Sequence, residues 1–197
     1  MTARPPAPAR QRWLVPVLVV VLSITVGGGL LARELYRRPV VDAADPIALT
    51  TPTPVDKDDQ PGPGDVKVTE DGARHPDYDA VRAVLQDYFD GINHHDYDQW
   101  ARSVSKARIA ENPRTTWTND YRSTKDGSIL LYRIEPGAGT SLRVLVGFTS
   151  TQSSHEAPEG LKEGCIRWRL VLPMIFEGGG YKIDTVTAGT LPEQEKC

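Results

Sequence analysis

His94, His95 and Asp96 stand side by side in the run NHHDYDQW, and imidazoles beside a carboxylate are the raw material of a metal centre or a general base. Their spacing argues against both, because adjacent residues rarely face one ligand. A turn between two helices, with Asp96 as the N-cap of the second, accounts for all three. His75 and His155 lie in loop-like sequence without ligand spacing to anything. The sequence therefore supplies no metal ligands, no cofactor motif and no catalytic residue.

Cys165 and Cys197 are the two cysteines of the chain, both far from its N-terminal apolar stretch. An even pair in an exported domain reads as a disulfide, which in the chain-entropy picture stabilises by about 3 to 4 kcal/mol and pins a terminus that otherwise frays. Two free thiols are the alternative. A reactive pair has less behind it, since there is no CxxC spacing and no neighbouring His.

The candidate binding residues fall into two groups. Trp100, Trp117 and Tyr121, together with Trp168, have the side chains to line a pocket, although core packing explains each as well. Arg133, Arg143, Arg167 and Arg169 fall on one strand face by alternation, with Lys182 nearby, and a basic sheet face can dock an acidic partner. The competing reading is a solvated face whose arginines pair across strands with Glu135, Glu163 and Asp184.

The elements that must position these residues are legible in part. In DYDAVRAVLQDYFDGIN the apolar residues Val81, Val84, Leu85, Tyr88, Phe89 and Ile92 recur at helical spacing and mark one buried face. Asp77 and Asp79 suit the start of that helix, and Gly91 and Asn93 its end. A second helix from Asp96 shows Tyr97, Trp100 and Val104 on one face, and Pro113 limits its length. Period-2 alternation then takes over at SILLYRIE, SLRVLVGFTSTQ, GCIRWRLVLPMIF and YKIDTVTA, which read as four strands broken by PGAG, APEG and EGGG. Alternation puts Leu130, Tyr132, Leu142, Val144, Val146, Phe148, Ile166, Trp168 and Leu170 on the core face. Only Ser150, Gln152 and Tyr132 add polar atoms there, with no Asp, Glu or His. The expected fold is α+β, with two or three helices packed on a curved antiparallel sheet of about four strands.

Upstream, WLVPVLVVVLSITVGGGLLA carries no charge, and its residues 13–32 are long enough as a helix to span roughly 30 Å of hydrocarbon. The arginines on either side, Arg4, Arg10 and Arg12 against Arg33, Arg37 and Arg38, nearly balance. The cysteine pair favours an N-terminus inside and a C-terminus outside. A cleavable signal peptide is the rival reading, opposed by the length of the stretch. From residue 39 to 76 the chain holds seven of its sixteen prolines, many acids and few bulky apolar residues, too little to offset ordering. The expected organisation is a basic cytoplasmic tail at 1–12, a transmembrane helix at 13–32, a disordered linker at 33–76 with a reach on the order of 35 Å, and an extracytoplasmic domain at 77–197. Residues 39–197 carry 17 Lys and Arg against 25 Asp and Glu, a net charge of −8, which disfavours nucleic acid as a partner.

The run YFDGINHHDYDQW, a helix closing in Asn and a new one opening at Asp, resembles the helical hairpin of nuclear-transport-factor-2-like domains, the superfamily of steroid isomerases and polyketide cyclases. The meander containing Trp168 is similar to that family's curved sheet. The resemblance covers residues 77–188 and implies a cone-shaped α+β fold with a cavity between sheet and helices, in a tethered form familiar from actinobacteria. Its catalytic members project an ionisable residue into the cavity, and no such position carries over to this chain. The functional expectation is therefore a membrane-anchored, non-catalytic domain binding an envelope protein partner or a small apolar ligand. The alternatives are an isomerase, dehydratase or cyclase-like enzyme, and a purely structural envelope subunit.

Overall fold

The computed structural model describes residues 56–186 and 192–197. The expected membrane helix at 13–32 and the linker as far as residue 55 lie outside them. Among the described residues no helix is long and apolar enough to cross a membrane.

The helical layer is built largely by local rules. After β1 (Lys67–Val68) and the short α1 (Glu70–Ala73) comes α2 (Tyr78–His94), whose residues Val81, Leu85, Tyr88, Phe89 and Ile92 are buried and Val84 half-buried. The helix stops where His95 turns left-handed at φ 55° and returns its N–H to Gly91 and Ile92. Asp96 then caps α3 (Tyr97–Ser103), accepting from the N–H groups of Asp98 and Gln99 at 3.0 Å. The two histidines and Asp96 thus belong to the inter-helix turn. Gly91 permits that turn, because a Cβ there would lie 2.7 Å from the Trp100 nitrogen.

The second helix is shorter than Pro113 alone would require. Val104 leaves the helix to form a parallel bridge with Ile183, and the Ser105 N–H donates to the Ile183 carbonyl at 2.9 Å. Ser105 next caps α4 (Lys106–Glu111) by accepting from the Arg108 N–H at 3.1 Å, and Pro113 precedes α5 (Arg114–Asp120).

The sheet contains β1, β2 (Lys125–Pro136), β3 (Leu142–Thr151), β4 (Cys165–Glu177) and β5 (Gly180–Ile183) in that spatial order, with β6 (Glu193–Lys196) pairing with β4. β1 runs parallel to β2, and the other pairs are antiparallel. The α+β class stands. Among the described residues five α-helices stand where two or three were expected, and six strands, in a sheet that does not close, where about four were expected.

β3 and β4 stay in register from Leu142 opposite Met174 to Thr151 opposite Cys165, so alternation reads through them correctly: Val144, Val146, Ile166 and Met174 are buried. β2 departs from the expectation. Its pairing with β3 shifts by one residue between Gly127 and Leu130 and again between Leu131 and Arg133, with Ser128 at φ 51°. Each extra residue swaps the two faces. Ile129, Leu131 and Ile134 therefore line the core, and Tyr132, expected inside, lies on the outer face against Gly147.

The linker expectation also needs correction over its described part. Residues 56–76 carry β1, α1 and a strap of backbone pinned to the domain. The Pro63 carbonyl accepts from Ser128 N–H at 2.7 Å and the Pro61 carbonyl from Ser128 Oγ at 2.8 Å. Gln86 accepts from Val66 N–H at 2.9 Å and donates to the Gly64 carbonyl at 3.1 Å, while Arg82 donates to the Val66 carbonyl at 3.0 Å. Val66 is fully buried. Proline and acid content misleads here because the strap's polar backbone is satisfied by partners far along the chain.

The C-terminal tail is held by the Cys165–Cys197 disulfide and by the pairing of β6 with β4.

Candidate functional site

Polar side chains from α2, α4, the end of α5 and the neighbouring strands β2 and β3 gather between the helices and the sheet. Arg108 on α4 donates through Nη2 to the Tyr88 hydroxyl at 3.2 Å and through Nη1 to the Asp184 backbone carbonyl at 2.9 Å. Its Cζ sits 5.7 Å from the Tyr88 ring centroid. The Asp184 carboxylate is engaged elsewhere, accepting from the Ser105 hydroxyl at 2.6 Å. Burial works against the Arg108 charge, the Tyr88 and Tyr121 phenols work for it, and the guanidinium ends above its ordinary value. Tyr121 lies just beyond α5, and its interaction with Tyr88 together with burial pushes its phenol well above the usual range.

Asp126 enters from the sheet. It is 4% exposed, and its carboxyl receives a short hydrogen bond from the Ser150 hydroxyl on β3. Its backbone is held by Asn93, which accepts from the Asp126 N–H at 2.7 Å and donates to the Asp126 carbonyl at 2.9 Å. Burial pushes the Asp126 carboxyl up to about 7, with the Ser150 hydrogen bond working in the opposite direction. Its charge acts on Tyr121. Asp126 is the inward acid absent from the sequence reading. That reading opened the strand at Ser128 and left Asp126 outside it; β2 in fact starts at Lys125, and Asp126 shares the inner side with its register partner Ser150. Asp96 and Asp120 are exposed, and Asp184 is half-buried.

The expected aromatics do come together. Ring centroids of Trp100 and Trp117 are 5.5 Å apart, Trp117 and Tyr121 5.3 Å, Tyr97 and Trp100 5.4 Å, and the Arg114 guanidinium covers Tyr97 at 4.4 Å. Trp100 and Trp117 are each 1% exposed, and their indole N–H groups have no acceptor among the protein's groups; the Arg108 Nε is buried in the same condition. Trp168 lies apart from this wall, stacked at 6.4 Å on Phe148.

The expected arginines lie together on the exposed outer face, each matched by acids. Arg133 meets Asp71 at 2.5 Å, Arg143 meets Glu135 at 3.2 Å, Arg167 meets Glu195 at 3.6 Å and Arg169 meets Glu193 at 3.1 Å. Of the acids named from sequence only Glu135 takes part; Lys182 donates instead to the Arg102 carbonyl. Exposed pairs of this kind contribute little to stability, and they leave the face close to neutral. Beside it is an apolar recess of about 710 Å³ lined by Tyr132, Leu145, Val171 and Leu172, with Arg169 and Glu193 at its edge.

Chemically, the interior cluster offers a fixed cation, two phenols and a carboxyl that is partly protonated at neutral pH. It can orient an acceptor-bearing ligand and hold or release a proton at Asp126. Among the described residues no group of three or more His, Cys, Asp or Glu is placed to hold a metal ion. Tyr88 was legible as a helix-face residue, whereas Arg108 lies in a stretch without clear periodicity and Asp126 just ahead of the segment whose alternation marks the strand. No protein-family model matches the chain, and no curated protein matches it either.

Proposed function

We propose that the chain is a single-pass, membrane-anchored protein whose extracytoplasmic domain binds a small, largely apolar ligand between its helices and its sheet without transforming it. The observation that carries this reading is the contiguous wall Tyr97, Trp100, Trp117 and Tyr121 running into the part-buried Arg108–Tyr88 pair. Binding sites for small molecules combine such apolar walls with a few placed polar groups. The uncharged stretch at 13–32 and the disulfide support an anchored domain in an oxidising compartment. The order of helices followed by a meander supports a nuclear-transport-factor-2-like, cone-like reading of the domain. An acidic protein docking on the outer arginines has less behind it, because those arginines are already paired with the chain's own acids.

The test is a thermal-shift and calorimetric screen of the full chain in lipid nanodiscs against small apolar compounds. A true ligand at about one hundred times its Kd raises stability by about 2.7 kcal/mol. Trp117→Ala should weaken that binding. If no compound stabilises the protein while crosslinking captures an envelope protein on the outer sheet face, this reading is wrong.

The second reading is an isomerase, dehydratase or cyclase-like enzyme, and Asp126 is the observation that favours it: a carboxyl near neutrality can take a proton from carbon beside a carbonyl. Incubating cyclic ketones with the protein in deuterated water tests it. Deuterium exchange lost in Asp126→Asn supports catalysis, and no exchange above the buffer rate removes it.

A further inference from the structure

We infer that the ligand is a monoanionic carboxylate on an apolar, ring-bearing body, with Arg108 as the residue that reads the carboxylate. The inference rests on the ligand-binding reading and adds the chemical class of ligand to it.

The buried side-chain atoms without partners are all donors: Trp100 Nε1, Trp117 Nε1 and Arg108 Nε. Buried polar groups are ordinarily matched, and leaving a donor unmatched is costly. A deficit made only of N–H groups calls for acceptor oxygens. The three belong to consecutive helices α3, α4 and α5, linked by contact from Trp100 through Trp117 and Tyr121 to Tyr88 and Arg108.

The charge state narrows the class. Both described hydrogen-bond acceptors of the Arg108 guanidinium are neutral, the Tyr88 hydroxyl and the Asp184 backbone carbonyl. The carboxylate of Asp184 is taken by Ser105, and Glu111, on the same helix, acts only through its field and is exposed. A guanidinium donates in a fork that matches the two oxygens of a carboxylate, and Nε is one prong of that fork. One cation calls for one negative charge. Asp126 is not among the groups whose charge acts on Arg108.

The surroundings set the body of the ligand. Tyr97, Trp100, Trp117 and Tyr121 are packed ring against ring, and an aromatic cluster of this kind favours a planar or alicyclic group over a sugar or a peptide. Access is through the α4 side. That helix contributes no fully buried residue, and Arg108 and Tyr121 are themselves only half-buried.

The experiment uses three probes with one body, 4-phenylbutyrate, 4-phenylbutanol and 4-phenylbutylamine, titrated calorimetrically into the full chain in nanodiscs, with empty nanodiscs subtracted. The expected order is carboxylate over alcohol by about tenfold or more, with the amine weakest. Arg108→Gln should bring the carboxylate down to the alcohol without changing the alcohol, and Arg108→Lys should restore part of the preference. Trp100→Phe, which keeps a ring and removes the N–H, supplies a second variant should Arg108→Gln fail to fold, and it should lower carboxylate affinity more than alcohol affinity. Equal binding of carboxylate and alcohol overturns this inference and leaves the proposed function standing, as does a carboxylate preference that survives Arg108→Gln. If none of the three binds, both the inference and the apolar-ligand reading fall.

Discussion

The Asp126 carboxyl on β2 and the Ser150 hydroxyl on β3 are register partners across the sheet and are joined by a hydrogen bond inside the core. Asp126 shares its face with Leu131, five residues on, an odd spacing that a regular strand would send to opposite faces. The extra residue near Ser128 makes up the difference, and the strap carbonyls of Pro61 and Pro63 hold Ser128 in place. A segment that composition marks as a tether thus helps to place an acid in the core.

Asp126 should give the domain a distinctive pH profile. Its carboxyl titrates near 3.8 when exposed and at about 7 when folded, so the folded state binds the extra proton between those values. Stability should therefore fall as pH rises from about 4 to about 7 and then level off, by about 4 kcal/mol at roughly 1.4 kcal/mol per pKa unit. Asp126→Asn should flatten that slope and be the more stable protein at pH 8. Chemical denaturation at pH 5, 6, 7 and 8 measures both; an unchanged slope in the variant would mean that Asp126 is not the titrating group.

Gly127→Ala should disturb the strap. A Cβ there would lie 2.3 Å from the Gly62 carbonyl oxygen and 2.8 Å from that of Pro61, and both obstacles are backbone. A loss of about 2 kcal/mol or more is expected, with Gly164→Ala, whose nearest neighbour is at 3.4 Å, close to neutral as a control. Urea midpoints of the two variants decide the matter, and equal midpoints would count against the close approach of strap and sheet.

A chain truncated to begin at residue 77 should be clearly less stable than one beginning at residue 56. It loses buried Val66, worth about 1.5 to 3 kcal/mol, together with the strap bonds to Gln86, Arg82 and Ser128. A drop in Tm of about 10 °C is expected. Coincident melting curves would restore residues 56–76 to the tether.

Reducing the Cys165–Cys197 bond should cost about 3 to 4 kcal/mol, because it closes a loop across a sequence separation of 32. The double variant Cys165→Ser, Cys197→Ser should melt at the temperature of the reduced wild type. Free-thiol titration of the denatured, unreduced protein should read zero, and two thiols would refute the pairing.

Local physics made several features readable from the amino acids alone. The buried stripe of α2 follows from 3.6-residue periodicity within one element, and the Asp96 cap from a side chain two and three residues from its donors. The faces of β3 and β4 follow from alternation in strands whose register never slips. The cysteine pairing follows from there being two cysteines to pair.

Tertiary structure decided the rest, for reasons no periodicity contains. The inward turn of Asp126 depends on a bulge set by the distant carbonyls of Pro61 and Pro63, and Arg108 gains its place because Ser105 docks on Ile183 and its guanidinium reaches Tyr88 and Asp184. Trp100, Trp117 and Tyr121 could be named from their residue types, but which of them touch depended on how the short helices α3 and α5 pack. Each of these outcomes is a contact between residues far apart in the chain. The energy that selects it belongs to the assembled core and to no single segment.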